Sequence, residues 1–293
     1  MEDKLMKRNR FFLFLVLFSF CFSGNLLAKK EIVFVKTSAN NNDSIVIANI
    51  SNYAGGTAYN VTVIAQGVIT EDLLPQFNAA DLVIMGRSIA SGDVATGMAV
   101  WNQITAPVLS MNMWGMRSSR AKWTPSASCE NLKQADTVYF QGTIVATDDP
   151  VFAGITEETI DWWCGNYSDF AIDAEGDDFG NGTLLAQTPD NKMLFARWQA
   201  GVEFYPGSGS IPMGERSYIG NGSDDGGVIS YWGFSETVEK IFWKEVARMT
   251  GYVPKKEIVF VKTSANNNDS IVISNISNYA GGTAYNVTVI AQG

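Results

Sequence analysis

Short apolar runs separated by polar, turn-rich segments recur along most of this chain. EIVFV at 31–35, NVTVI at 60–64, ADLVIMG at 80–86 and PVLSMN at 107–112 are rich in β-branched residues and too short for core helices. Such runs predict buried strands. Between the first two, Ile45, Val46, Ile47, Ile50 and Tyr53 fall on one helical stripe despite their β-branching, and Gly55–Gly56 ends it. TEDLLPQF at 70–77 predicts a short turn or helix, and Asp93 is placed to cap a helix with Val94, Met98 and Trp101 on one face. Strands alternating with crossovers of this length predict parallel pairing.

Further along, TLLAQ at 183–187, KMLFARW at 192–198 and ERSYIG at 215–220 return to strand-like runs, whereas 129–185 is irregular and reads as insertions or an added hairpin. The clearest helix comes last. Ser235 caps it, Val238, Ile241, Phe242, Val246 and Met249 form its apolar face, and Gly251 ends it. Glu236 and Glu239 lie toward its positive end, Lys244 and Arg248 toward its negative end.

Residues 29–67 return at 255–293 with one change, Ala48 becoming Ser274. Selection for a fold preserves apolar spacing but not every solvent-facing Asn and Thr, so the copy reads as a recent duplication, an engineered one or an assembly error, unlike a drifted solenoid repeat. It divides the chain into a 226-residue unit at 29–254 and a partial copy at 255–293 that holds a first β-α-β segment without the later elements that would cover it. The expectation is an incomplete second unit in preference to a stable exchange with the first copy.

At the other end, Lys4, Lys7, Arg8 and Arg10 precede an apolar run from Phe11 to Phe22 and the SGNLLA segment ending at Ala28. This is the order of a secretory signal peptide, which predicts a secreted or periplasmic protein with no retained membrane span, a retained membrane anchor being the alternative. Cys21 follows Phe20 where a lipidated cysteine would follow a small residue. Losing 1–28 removes four basic and two acidic side chains and moves the formal charge from −9 to −11. An acidic chain with no basic block beyond that point argues against nucleic acid. Cys129 and Cys164 remain, and an oxidising compartment permits them to bridge, two buried thiols being the alternative.

In order, EIVFV, NVTVI, ADLVIMGRSIASGDV, WNQITAPVLSMN, KMLFARW and ERSYIG resemble the class I glutamine-amidotransferase-like superfamily, especially divergent secreted members of the trehalose-utilisation-like (ThuA-like) group. The resemblance spans most of 31–250 and implies a flavodoxin-like three-layer α/β sandwich with a mostly parallel sheet, followed by the partial copy of its first β-α-β segment. It does not carry the activity over. Amidotransferases of that superfamily use a Cys nucleophile with a His, and this chain has no His at all; MWGMRSS follows the fourth strand where a Gly-flanked Cys would stand. Neither a His-containing zinc site nor a Ser-His-Asp triad is open to it.

In a parallel sheet, ligands gather beyond the carboxyl ends of the strands. Lys36, Thr37 and Ser38 follow the first strand, Arg87, Ser88 and Ser91 the third, and Asn112, Trp114, Arg117 and Arg120 the fourth. The arginines suit a carboxylate, sulfate or phosphate, and Trp114 suits a sugar face. The bland reading is that the arginines pair with local acids while Trp114 or Trp123 closes the core. Carboxylate-dependent glycan hydrolysis is the enzymatic alternative, resting on Asp148, Asp149, Asp161, Asp169, Asp173 and Glu175 beside Trp162, Trp163 and Tyr167. A scaffold with a vestigial pocket is the third reading. DAEGDDFGNG at 173–182 and GSDDGG at 222–227 lack the ligand order of an EF-hand, and Gly55–Gly56 lacks dinucleotide spacing, so neither metal nor cofactor is expected. The leading expectation is a secreted, noncatalytic carbohydrate- or small-anion-binding module working in an extracellular assembly.

Overall fold

A computed structural model describes residues 28–37, 43–127, 129–132, 139–164, 170–174, 179–221, 232–254, 256–262 and 285–291. The signal segment up to residue 27, Ser38, Asp169, Tyr167, Glu175 and GSDDGG lie outside the described residues. The chain divides into a compact unit, Lys30–Tyr252, and a second unit that takes in Val253–Gly293.

The first unit is built on one sheet whose strands, among the described residues, are β1 (Lys30–Lys36), β2 (Tyr59–Ala65), β3 (Leu82–Met85), β4 (Val108–Ser110), β6 (Phe140–Ile144), β7 (Thr159–Trp163), β9 (Thr183–Gln187), β10 (Met193–Trp198) and β11 (Arg216–Ile219). Their order is β2-β1-β3-β4-β11-β10-β9-β6-β7. β5 (Cys129–Leu132) and β8 (Phe170–Ala174) form a separate antiparallel pair.

Helices cover both faces, as the pattern of β1 requires. Ile32 and Phe34 enter one core and Val33 and Val35 the other; Leu82 and Ile84 against Val83 and Met85 repeat the division on β3. With both faces buried, such strands read as near-continuous apolar runs. The first core is covered by α1 (Ser44–Gly56), through Val46 and Ile50, and by α6 (Glu236–Thr250), through Val238, Ile241, Phe242, Val246 and Met249. The second is covered by α2 (Leu74–Ala79), α3 (Ser91–Thr96), α4 (Met98–Gln103) and α5 (Met113–Met116).

The three-layer α/β sandwich therefore stands, but the expected mostly parallel, flavodoxin-like sheet does not. From β2 to β11 every pairing is parallel, while β11-β10, β10-β9, β9-β6 and β6-β7 are all antiparallel, so the sheet is mixed. For β9 and β10 the reason is loop length. Only Thr188–Lys192 joins β9 to β10, with Asn191 at φ 67° and the Thr188 amide donating to the Lys192 carbonyl at 2.7 Å. A link that short makes a hairpin, whereas parallel neighbours need a crossover of a dozen residues or more.

The helix expected from Asp93 onward is two. Gly97 separates α3 from α4, Ala90 precedes the first turn, and a Cβ at Gly97 would stand 3.1 Å from Ile69 Cγ1. The last helix begins at Ser235, whose Oγ accepts from the Val238 amide at 3.2 Å, and ends at Gly251 in the left-handed region. Among the described residues no helix is long and apolar enough to cross a membrane.

A charge network ties α6 to the antiparallel half. Glu245 is fully buried and accepts from Arg197 of β10 at 3.0 and 2.6 Å and from Arg248 at 2.9 Å. Arg197 also reaches Asp149 at 2.6 Å, and Arg248 reaches Glu215 at 2.6 Å. Burial alone would raise the Glu245 pKa, but the bonds from Arg248 and Arg197 outweigh it and hold the carboxyl below its ordinary range. A depressed folded-state pKa contributes stability above the unfolded value and loses it as pH falls through the folded one. Glu245→Gln is expected to cost about 3 kcal/mol at neutral pH, since it leaves two guanidiniums facing a neutral amide. The gap from wild type should narrow in acid; urea denaturation at pH 7 and pH 3 measures both values, and a gap that widens in acid would contradict this account.

Candidate functional site

The chain leaves β1 toward β2 on one side and returns to β3 on the other, so the crevice of an open α/β sheet belongs between the carboxyl ends of β1 and β3. That place is filled from within. Asp43, just ahead of α1, and Arg87, just after β3, form an ion pair at 3.5 Å with both side chains fully buried. The Asp43 carboxylate also accepts from the Arg87 amide at 3.2 Å, the Ser88 amide at 3.1 Å and the Ser88 hydroxyl. Arg87 Nη1 donates to the Asn221 carbonyl at 3.1 Å, and Trp163 Nε1 donates to the Asn221 side chain at 3.0 Å.

Gly86 makes this closure fit. A Cβ there would lie 2.6 Å from Phe34 Cε1 and 2.7 Å from both Asp43 Oδ2 and the Val35 carbonyl, so no larger residue is accommodated without displacing the pair. Asn112 completes it from β4. Its Oδ1 accepts from the Gly115 amide at 2.9 Å, capping α5, while its Nδ2 donates to the Ile89 carbonyl at 2.6 Å. Asn112 thereby ties the start of α5 to the turn that follows β3.

The sequence-predicted residues thus part into two groups. Arg87, Ser88 and Asn112 stand inside the mouth, the first and last buried, as structural ties; Lys36 is half-buried at the end of β1. Trp114, Arg117 and Arg120 stand on the rim. Arg117 lies over the Trp114 ring at 4.9 Å from its centroid, donates Nε to the Trp114 carbonyl at 3.0 Å and donates Nη2 to Ser91 Oγ at 3.1 Å. Arg120 Nε donates to the same oxygen at 3.2 Å and its Nη1 to the Ser119 carbonyl at 3.0 Å.

Two cations therefore converge on one hydroxyl, which has two lone pairs and uses both. Among the described residues no carboxylate pairs with either arginine. The loop that carries them is held by its backbone: Ala121 donates to Gly115 at 2.9 Å, Trp123 to Met116 at 2.9 Å and Ser118 to Ser126 at 2.7 Å. Trp123 is a core residue stacked on Phe204, with ring centroids 5.5 Å apart.

A second concavity, of about 440 Å³, opens where β6, β7 and the start of α6 meet, lined by Tyr139, Gln141, Glu157, Asp161, Glu236 and Thr237 among others. Gln141 donates to Asp161. Glu157 is held below its ordinary pKa by hydrogen bonds from its own amide and from Thr156, and Glu236 is held there by Lys240. Both are ionised acceptors at neutral pH. Cys129 and Cys164 are separate thiols in place of the bridge that was one reading of the sequence. Cys129 donates to the Met113 carbonyl at 3.5 Å, and Cys164 sits beside Tyr139, whose pKa it raises. Among the described residues no group of three His, Cys, Asp or Glu side chains is placed to hold a metal ion.

Sequence reasoning missed Asp43 and Asn221. The signal for Asp43 was an acid at the end of the polar run after the first strand, immediately before a helical stripe; Asn221 carried none. No protein-family model matches the chain, and no curated protein matches it. If the buried pair closes the mouth as described, Asp43→Ala should cost about 3–5 kcal/mol by leaving the Arg87 cation buried against an apolar neighbour. Thermal and chemical denaturation provide the check, and a loss under about 1 kcal/mol would be that of an exposed pair instead.

Proposed function

We propose that this chain is an exported, noncatalytic binding module of amidotransferase-like descent that captures an anionic group, such as the carboxylate or sulfate of an acidic glycan, on the Ser91–Arg117–Arg120 rim. The observation that carries the reading is the convergence of two guanidiniums on Ser91 Oγ with no carboxylate partner among the described residues. Each keeps N–H donors beyond its protein bonds, and a planar oxyanion is the complement of two such forks. In a chain of net charge −9, such a local cationic point is also what would let an anion approach. Export rests on the N-terminal order of basic residues, apolar run and small-residue segment.

Binding without turnover is favoured because the crevice at the strand ends holds Asp43 and Arg87 where a substrate would sit. The carboxylate-lined concavity by β7 is where hydrolysis would have to occur. A glycosidase needs one carboxyl raised to serve as general acid, and Glu157 and Glu236 are both shifted the other way.

Arg117→Ala and Arg120→Ala should each weaken binding of a uronic-acid oligosaccharide about tenfold or more, the scale of a lost charged hydrogen bond, with little change in thermal midpoint. Wild-type affinity should fall as salt rises, and the carboxyl-reduced, neutral oligosaccharide should bind poorly. Calorimetric titration with both sugars decides the matter, followed by chromatography of the sugar for cleavage products. Equal affinity in both variants would reject the rim, and product release would reject the noncatalytic reading.

A further inference from the structure

The duplicated segment has one place to dock and two claimants. Residues 30–65 hold that place through groups that can be named. β1 pairs with β3 from Ile32↔Leu82 to Val35↔Met85, Val46 and Ile50 pack in the core that α6 covers, and Asp43 pairs with Arg87. Tyr53 stacks on Trp243 of α6 with ring centroids 4.1 Å apart, and Tyr59 lies 5.3 Å from Tyr252.

Every one of these residues has an identical counterpart 226 positions later: Ile258–Val261, Asp269, Val272, Ile276, Tyr279 and Tyr285. The single difference, Ser274 for Ala48, falls at an exposed position of α1 and touches none of these contacts. Within its own unit, the second copy already forms the matching strand pair. β12 (Lys256–Lys262) runs parallel to β13 (Tyr285–Ala291) from Lys256↔Tyr285 to Lys262↔Ala291, the register of Lys30↔Tyr59 to Lys36↔Ala65 shifted by that same offset.

The connection also reaches. α6 ends beside the start of β1: a Cβ on Gly251 would lie 4.0 Å from Lys30 Nζ, and Tyr252 contacts Tyr59, the register partner of Lys30. With Lys256 in the place of Lys30, residues 253–255 would bridge from Tyr252, and four peptide steps span about 13–14 Å.

We propose that the seat formed by the β3 edge, the Arg87 side chain and the inner face of α6 accepts either copy, residues 30–65 or residues 256–291 of the same chain, in mutually exclusive frames. Seating one copy displaces its twin, so the burial gained by one is lost by the other and the two frames differ only through Ala48/Ser274 and the chain connections. In the second frame residues up to Gly67 become an N-terminal arm attached at Val68. The incomplete second unit expected from sequence is one of these two frames.

The test is made on the full chain with Phe34→Asp, which places a carboxylate at a fully buried position of the first copy, with Phe260→Asp, its counterpart, and with the double variant. Each single variant should keep a cooperative thermal transition and the wild-type near-UV signal, because the intact copy takes the seat, while the double variant should lose both. Hydrogen exchange on Phe34→Asp should show protection moved from 30–65 to 256–291, and light scattering should show a monomer. A Phe34→Asp chain as unfolded as the double variant would overturn the proposal. So would a Phe34→Asp dimer, which would mean that the second copy docks between molecules instead.

Discussion

The buried pair of Asp43 and Arg87 is the interaction on which the working end of the sheet depends. Two opposite charges withdrawn from water need further hydrogen bonds as well as each other, and here the amides of Arg87 and Ser88 and the Ser88 hydroxyl donate to the carboxylate while the Asn221 carbonyl accepts from the guanidinium. The pair joins the segment after β1, the turn after β3 and the segment after β11, so three loops that would otherwise border an open crevice are fixed to one another. Asn112 adds the loop after β4. In the proposed reading, recognition falls to Ser91, Arg117 and Arg120, which stand outside this closure.

Strand positions were legible because a strand buried on both faces is mostly apolar, as β1, β3, β4 and β10 are, whereas β11 fell in a chosen run although it buries Arg216 and Ser217. Strand direction was not. An apolar run carries no mark of its neighbour's orientation; for β9 and β10 the information lay in the five residues from Thr188 to Lys192, where proline, aspartate and asparagine announce a tight turn. The break at Gly97 was hidden for a related reason: the apolar spacing of Val94, Met98 and Trp101 suits one helix, and what opposes it is Ile69, which no local pattern reveals.

Of the candidate site, membership of the strand-end loops could be read from order alone, and the separation into inner and outer residues could not. Arg87 and Arg120 look alike in sequence, each in a polar loop after an apolar strand. They differ in what faces them, and for Arg87 that is an aspartate 44 residues earlier. The duplication, by contrast, was legible to the residue. Its physical content, two chemically equivalent claimants on one seat, emerges only when the contacts of the first copy are known.

The seam between the two halves of the sheet has a consequence of its own. β4 and β11 are adjacent in space but pair Val108 with Arg216, so the whole irregular middle of the chain forms one excursion between neighbouring strands. The entropic cost of closing such an excursion grows only with the logarithm of its length, about 0.6 kcal/mol for each doubling. Added or removed residues in that excursion therefore weigh little on the parallel half, which is held by its own pairings. This stretch is where the architecture can change in length over evolutionary time, provided the change falls beyond the loop that carries Arg117 and Arg120 at its start, which is held by its own backbone bonds.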